Sequence, residues 1–268
     1  MVNGDFNLSS VLRGANKKSN DSSFSIGGKN TFTNSVWLNN AEQTPRKTGE
    51  YGLSNNYVKI KRQAEQTAQQ KVKRALNKAK IEVKKGVVEK TPNDSIDIRR
   101  YRAFESANHK TPVKSTAPYC ASFVSWCYGN DFSAFGYEAY TPSLRNKAKK
   151  AGFYTEKNNI GNGKNGTYRP KSGDLLMWIN KNGSGGHVGM IESCRVINGK
   201  MYITTIEGNT VAKGQAETAT TKAQGEGPEG VMRKTYSLDE LKSNPRVNGV
   251  VRMEEWLTRT EEIRLNKK

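Results

Sequence analysis

The sequence predicts an α+β fold in which N-terminal helices pack on an antiparallel β-sheet, preceded by an extended N-terminal arm. Apolar residues recur every three or four positions from Tyr57 to about Lys85, which is the period of an amphipathic helix. After residue 170, short runs of β-branched and aromatic residues follow one another as neighbouring strands do. Residues 1–56 are rich in Asn, Ser and Gly and show no apolar period, which indicates an extended or disordered arm.

Composition divides the rest of the chain into three segments. Residues 57–71 are expected to form a basic linker helix that continues into the main domain at residues 72–257, and residues 258–268 to form a charged tail. Within the domain, a short buried helix is expected at Tyr119–Tyr128 and a polar loop at Thr210–Gly230. Strands are expected at Leu175–Ile179, His187–Ile197, Met201–Glu207, Val231–Tyr236 and Gly249–Met253.

The formal net charge is +19 and the sequence pI is about 9.8, so long-range attraction to polyanions is expected. Nucleic acid, teichoic acid, anionic lipid and acidic glycan are all candidate partners. Residues 59–90 hold eleven basic residues against three acidic ones, which fits either a solvated helix face or a helix that docks on a polyanion. Nucleic-acid binding alone is less favoured, because the basic residues are not interleaved with aromatic ones.

Three cysteines, Cys120, Cys127 and Cys194, cannot all pair within one chain. The first two lie seven positions apart, roughly 10 Å along a helix, which is too far for a disulfide. No C-x2-C or H-x3-H spacing occurs, and the only histidines are His109 and His187, so free thiols and no zinc site are expected. His109 stands in a polar stretch and is expected at the surface.

The segment Pro118-Tyr-Cys-Ala-Ser-Phe-Val-Ser-Trp-Cys127 places a candidate nucleophile at the head of a helix. Pro118 favours a helix start just after it, so Cys120 is expected in the first turn. There the unpaired backbone N–H groups and the helix dipole favour an anion, which eases ionisation of the thiol. The alternative for a lone cysteine is a small buried apolar residue, and that interpretation is kept for Cys127.

The segment Gly185-Gly-His-Val-Gly-Met-Ile191 offers the matching base. Two glycines before a strand-starting His187 leave its imidazole open on one side, and Gly189 keeps the same face of the strand uncluttered. Val188 and Met190 alternate with them and are expected to face the core. A histidine held between glycines is poorly suited to packing, which favours a functional role.

A third segment, Thr204-Thr-Ile-Glu-Gly-Asn209, supplies polar side chains that can orient an imidazole. Asn198-Gly199 is a strong signal for a hairpin between the two strands. A two-residue turn alone would put Glu207 on the face opposite His187. We expect a three-residue loop, or a bulge with the same effect, which sets Asn209 across from His187 and Glu207 diagonally on the same face.

These segments in this order resemble the CHAP family of cysteine- and histidine-dependent amidohydrolases and peptidases, a branch of the papain-like NlpC superfamily. The resemblance rests on P-Y-C-A-S-F-V-S-W-C, G-D-L-L-M-W, G-G-H-V-G-M-I and I-E-G-N, and it spans roughly residues 72–255. It implies a papain-like fold and a CHAP-like hydrolase domain at residues 72–257. Many family members cleave peptidoglycan, at the sugar–peptide amide or within the peptide.

The resemblance also implies residue roles. The nucleophile falls on Cys120, the base on His187, the orienting acid on Glu207 and the auxiliary polar residue on Asn209. The backbone N–H of Cys120 is expected at the oxyanion site, which Tyr119 is expected to help shape. The acidic calcium loop of some phage lysins is represented only by two aspartates, Asp94 and Asp97, so neither a metal nor another cofactor is expected.

The expected activity is therefore that of a cysteine peptidoglycan hydrolase acting through a thioester. Because the N-terminus lacks the apolar core of a signal peptide and no run approaches a membrane span, delivery by a phage particle or another system is expected. The arm at residues 1–56 suggests contacts with other virion or assembly proteins. Two alternatives stay open: a structural virion or wall-docking component with an inactive hydrolase fold, and a secreted antibacterial effector amidase.

Overall fold

The computed structural model describes residues 55–108, 112–114, 116–211 and 229–267. These residues form a mixture of helices and antiparallel strands, so the α+β prediction is confirmed. The arm predicted at residues 1–56 lies outside the described residues apart from its last two positions, which begin the first helix. His109 and most of the loop predicted at Thr210–Gly230 also lie outside them.

The described chain contains six α-helices and six strands; four helices come first and most of the strands follow. The helices are α1 (Asn55–Lys85), α2 (Ile96–Asn108), α3 (Cys120–Tyr128), α4 (Thr141–Lys150), α5 (Leu238–Ser243) and α6 (Met253–Asn266). The strands are β1 (Tyr154–Glu156), β2 (Leu175–Ile179), β3 (Gly186–Ile197), β4 (Lys200–Thr210), β5 (Gly230–Ser237) and β6 (Val247–Val251).

The six strands form one antiparallel sheet in the order β1-β6-β2-β3-β4-β5. Helix α3 packs on β3 and β4, and it comes closest at Gly208, where a Cβ atom would lie 2.8 Å from Cβ of Phe123. Only a residue without a side chain lets the helix lie this near the strand. Its first turn is thereby held over the end of the sheet.

Helix α1 is an amphipathic rod that packs along α6. Its buried face is built largely from small side chains, which allow two helix backbones to approach closely; the fully or almost fully buried alanines are Ala64, Ala68, Ala75 and Ala79. Lys71 joins the helices through a contact of 2.9 Å with Glu261. The charged tail predicted after Trp256 is the C-terminal part of α6.

The hairpin between β3 and β4 decides which side chains share a face. Its turn has two residues, Asn198 and Gly199, because Ile197 pairs with Lys200. The three-residue loop considered from the sequence is therefore wrong. A bulge at Glu192 shifts the register by one position, so the bulge alternative is correct.

Helix α4, which begins beside Cys120, and the edge strand β1 were not predicted from periodicity. Helix α4 has only ten residues, of which seven are charged or polar, and β1 has only three. Both are too short for a periodic pattern to emerge. In the described part of the chain, none of the helices combines the length and apolar character that crossing a bilayer requires.

Candidate active site

Cys120 is the first residue of α3, as the sequence predicts. Its side chain is buried, and its sulfur lies 4.0 Å from the Thr141 hydroxyl at the start of α4. The backbone N–H of Val188 also points to the sulfur. Cys127 is buried in the last turn of the same helix, and both cysteines are free thiols. Hydrogen-bond donors therefore surround the Cys120 sulfur at the N-terminus of α3.

His187 joins the thiol to a carboxylate. Its Nε2 lies 2.9 Å from Oε2 of Glu207, and its ring is close enough to Cys120 for each group to shift the pKa of the other. With Nε2 engaged by Glu207, Nδ1 is the ring nitrogen still available to a neighbouring thiol. The ring packs against Trp178 at a centroid distance of 5.3 Å, which fixes its plane from the side. Only 9% of His187 is exposed, so the imidazole is more enclosed than its glycine neighbours indicated.

The bulge is what brings Glu207 to this face of the sheet. It pairs Glu207 directly with Gly189, two positions beyond His187 and therefore on the same side of β3. The glycine is required here, because a Cβ atom at position 189 would lie 2.6 Å from Cγ of Glu207. The Glu207 side chain fills the space that the glycine leaves.

Glu207 is held in place by donors on both of its oxygens. Thr205 donates to Oε1 at 2.5 Å and Tyr236 donates to the same oxygen at 3.0 Å. Nζ of Lys234 lies 3.8 Å from Oε2, and the lysine also donates to the Thr210 hydroxyl. Lys234 is 4% exposed and Glu207 is 1% exposed, so this ion pair lies in the protein interior.

The electrostatics favour a thiolate beside an imidazolium. Burial opposes ionisation of the Cys120 thiol, but the hydrogen bond and charge of His187 outweigh burial and hold the pKa of Cys120 below its usual value. Burial likewise disfavours the imidazolium, yet Cys120 and Glu207 raise the pKa of His187 to about 10. Burial also opposes the Glu207 charge, but the hydrogen bond from His187 keeps the pKa of that carboxyl below its ordinary range.

Asn209 and Tyr119 shape the segment that precedes the cysteine. The Asn209 side chain accepts a hydrogen bond of 2.6 Å from the backbone N–H of Tyr119 and donates to Glu229. The Tyr119 side chain is fully buried against Tyr101, with ring centroids 6.2 Å apart. Asn209 therefore ties the end of β4 to the head of α3, whereas the recorded pairing of β4 with β3 ends at Glu207 and Gly189, short of the predicted position across from His187.

The head of α3 also offers backbone donors to a developing oxyanion. Phe123 N–H bonds to the carbonyl of Tyr119 and closes the first turn. The N–H groups of Cys120 and the two following residues precede that bond and have no carbonyl partner within the helix. They stand beside the sulfur at the positive end of the helix dipole, where an anionic oxygen is stabilised.

The described residues form no cluster of potential metal ligands. Their histidine, cysteine, aspartate and glutamate side chains form no grouping of three or more that could hold an ion. Asp94, one of the two acidic residues expected ahead of the nucleophile, instead contacts Arg99 at 2.7 Å and Arg102 at 3.1 Å.

Sequence reasoning missed Thr141, Lys234 and Tyr236. Alternation along β5 does place Lys234 and Tyr236 on one face with Met232, which was the available signal. A lysine in a strand is usually assigned to the solvent side, and only the pairing of Thr205 with Lys234 reveals that this one lies next to Glu207.

Residues 112–209 match the family model described as the CHAP domain, which agrees with the resemblance seen in the sequence. The matched segment contains Cys120, His187 and Glu207 and ends at Asn209. Searches of curated proteins and of solved structures found no match. The domain match indicates a cysteine/histidine amidohydrolase of the peptidoglycan-hydrolase type.

Proposed function

We propose that this chain is a cysteine peptidoglycan hydrolase that works through a thioester at Cys120. The observation that carries the proposal is the connected row of Cys120, His187 and Glu207, in which a helix-head thiol meets an imidazole whose far nitrogen lies 2.9 Å from a buried carboxylate. A thiol, a base and a group that orients the base are the parts that nucleophilic amide cleavage requires.

In the acylation step, the Cys120 thiolate attacks the carbonyl carbon of a peptidoglycan amide and a carbon–sulfur bond forms. The negative charge moves to the carbonyl oxygen, which the N–H groups at the head of α3 stabilise. The carbon–nitrogen bond then breaks as the His187 imidazolium gives its proton to the leaving amine. Glu207 keeps the ring oriented and its charge compensated during this transfer.

In the second step, water hydrolyses the thioester. Neutral His187 removes a proton from the water as its oxygen attacks the acyl carbon, and the carbon–sulfur bond breaks. The carboxyl product leaves, and the thiolate and imidazolium are restored. The same two side chains therefore serve both halves of the reaction.

The substrate bond is an amide at the sugar–peptide junction or within the stem peptide. Zymography on purified peptidoglycan tests the activity, and mass spectrometry of the released fragments identifies the bond. Both cleavages expose a new amine, so the fragment masses decide: glycan strands freed of whole stem peptides indicate an amidase, whereas glycan strands that keep shortened peptides indicate an endopeptidase.

Cys120→Ala is the variant that tests the nucleophile. It is expected to abolish hydrolysis while leaving the circular dichroism spectrum and melting temperature close to those of the wild type, because only one buried sulfur atom is lost. Cys194→Ala is the matched control, because this half-buried thiol lies in β3 beyond the bulge. Full activity of Cys120→Ala would exclude the mechanism.

We also propose that the protein reaches the wall as part of a phage particle or as a delivered lysin. The Asn-, Ser- and Gly-rich residues 1–56 and the basic helix α1 support an assembly role beside catalysis. Deletion of residues 1–56 is expected to block incorporation into particles but to leave wall hydrolysis intact. Incorporation without these residues contradicts this route and favours the free antibacterial effector.

A structural component with an inactive hydrolase fold is the competing function. It requires that wild-type protein, with Cys120 reduced, release nothing from walls of several chemotypes. The depressed pKa of Cys120 argues against this alternative, because a merely structural cysteine gains nothing from ionisation.

A further inference from the structure

Helix α1 carries a straight row of hydrogen-bond donors along its length. With 3.6 residues per turn, nine side chains fall within an arc of about 80° and span about 37 Å between the first and last lysine. We call this row the basic stripe; its members are Asn55, Lys59, Arg62, Gln66, Gln69, Lys73, Asn77, Lys80 and Lys84. All nine are exposed, and none is acidic or apolar.

The cations of the stripe are poorly neutralised. Of its five basic residues, only Lys80 has a carboxylate within 4 Å among the described residues, namely Glu192 at 3.5 Å. The two acidic residues of α1 do not compensate them: Glu82 is buried and bonds to Arg100 and Tyr101, and Glu65 is half-buried off the stripe. A solvated face would be expected to intersperse charges of both signs.

The stripe forms one wall of a groove. This groove has a volume of about 600 Å³, lies between α1 and residues 170–172, and receives Lys73, Lys80 and Lys171. Lys80 also lines a second groove of about 540 Å³ on the open face of β3, β4 and β5, which adds Arg195 and Arg233. The two grooves together hold five cations against two carboxylates, Glu192 and Glu254.

We propose that the basic stripe and these two grooves bind a flexible phosphodiester polymer of polyol units, the chemistry of teichoic-acid-like wall polymers. Repeated phosphates match repeated cations along a line, and amide side chains between them can donate to the polyol oxygens. Release of counterions from such a polymer supplies the binding free energy. The inference goes beyond hydrolysis, because the surface is separate from Cys120 and its partners.

The basic stripe has no aromatic side chains, which makes single-stranded nucleic acid a less suitable ligand than a polymer without bases. Proteins that bind such strands place aromatic side chains between the cations so that bases stack on them. None of the nine stripe residues is aromatic, and one tyrosine, Tyr202, lines the second groove. A polymer without bases needs no aromatic side chains to bind this surface, whereas a single-stranded nucleic acid would lose the stacking of its bases on such side chains.

The test measures binding of end-labelled poly(glycerol phosphate) by fluorescence anisotropy between about 50 and about 200 mM salt. It uses full-length Cys120→Ala protein, so that the result does not depend on catalysis. The stripe variant changes Lys59, Arg62, Lys73, Lys80 and Lys84 to Gln. The matched control changes five exposed lysines elsewhere to Gln, which gives the same net charge: Lys61, Lys150, Lys164, Lys200 and Lys242.

The five stripe cations, each contacting one phosphate, contribute about −3.5 to the slope of log affinity against log salt, or about a hundredfold loss across this range. The stripe variant is expected to bind at least about a hundredfold more weakly at low salt with a shallow slope, and the control to bind nearly as the parent does. Equal losses in both variants would overturn the proposal, because net charge alone would then explain binding. Tighter binding of single-stranded DNA or of a carboxylated glycan of equal charge would overturn the choice of ligand.

Discussion

Nζ of Lys234 lies 3.8 Å from Oε2 of Glu207, the same oxygen that lies 2.9 Å from Nε2 of His187. A thiolate, an imidazolium and a carboxylate in one buried row carry a net charge of −1. The lysine brings this total to zero without touching the sulfur. A buried charge that is left uncompensated is costly, so Lys234 belongs to the electrostatic design of the site.

Lys234→Met is predicted to move the whole pH–activity profile upward by on the order of one pH unit. Loss of the cation destabilises the thiolate and relieves the imidazolium of a like charge, so the pKa values of Cys120 and His187 both rise. Because the chain has only two histidines, NMR of ¹⁵N-histidine-labelled protein follows His187 directly, with His109→Gln for assignment. The exposed Lys200→Met is the control on the same sheet. A loss of activity with no shift in either limb of the pH–activity profile would show that Lys234 acts only through packing.

The pH dependence of the wild type follows from the same two groups. Activity requires ionised Cys120 and protonated His187, so it rises as pH passes the lowered pKa of the thiol. It falls as pH passes the pKa of His187, which is raised to about 10. We therefore expect full activity at pH 8 and about half of it near pH 10, measured on solubilised peptidoglycan. A decline centred near pH 6.5 would show that His187 lacks its two anionic partners.

Gly189→Ala is predicted to lower activity by about 10²- to 10⁴-fold, a range set by loss of the oriented base. The new methyl group would lie 2.6 Å from Cγ of Glu207, so the carboxylate has to leave His187. Gly185→Ala is the control at the approach to the same strand, where a methyl group meets only the flexible Asn180 side chain at 3.2 Å. Normal activity of Gly189→Ala would mean that Glu207 does not need this position.

Glu105 offers a prediction about stability. It is fully buried, and burial raises its pKa from the ordinary value of 4.5 to about 7, although Ser122 of α3 donates to it. Between these pH values the unfolded chain releases a proton that the folded chain keeps, so the free energy of unfolding falls as pH rises. This difference amounts to about 3 kcal/mol by pH 8.

Glu105→Gln has no carboxyl group to titrate at this position. Its free energy of unfolding is therefore predicted to fall less than that of the wild type between about pH 5 and about pH 8. Urea denaturation at both pH values measures it. Glu156→Gln changes an exposed carboxylate that pairs with Lys149, and it should leave the wild-type dependence in place. Parallel declines in wild type and Glu105→Gln would show that the buried carboxyl is not the group that titrates.

Local sequence pattern was enough for most of the elements and for two members of the proposed catalytic row. Cys120 and His187 are identified by their immediate neighbours, a helix start and a run of glycines, and both signals are local. Glu207 was a harder case, because its face depends on the bulge at Glu192, and no residue type marks that position as a bulge. Lys234 depends on how a fifth strand pairs across a chain separation of nearly thirty residues.

The bulge at Glu192 also limits how the β3–β4 hairpin can change in length. Residues added or removed in equal numbers on both arms beyond it leave the pairing of Gly189 with Glu207 untouched, so the distal hairpin is open to grafted sequences. Pairing Glu192 into a regular ladder, with no residue removed, would slip the register by one position and set Met190 opposite Glu207, so the carboxylate would lie on the face away from His187. The bulge thus determines which face of the sheet Glu207 occupies, and any redesign of this hairpin must keep that relation.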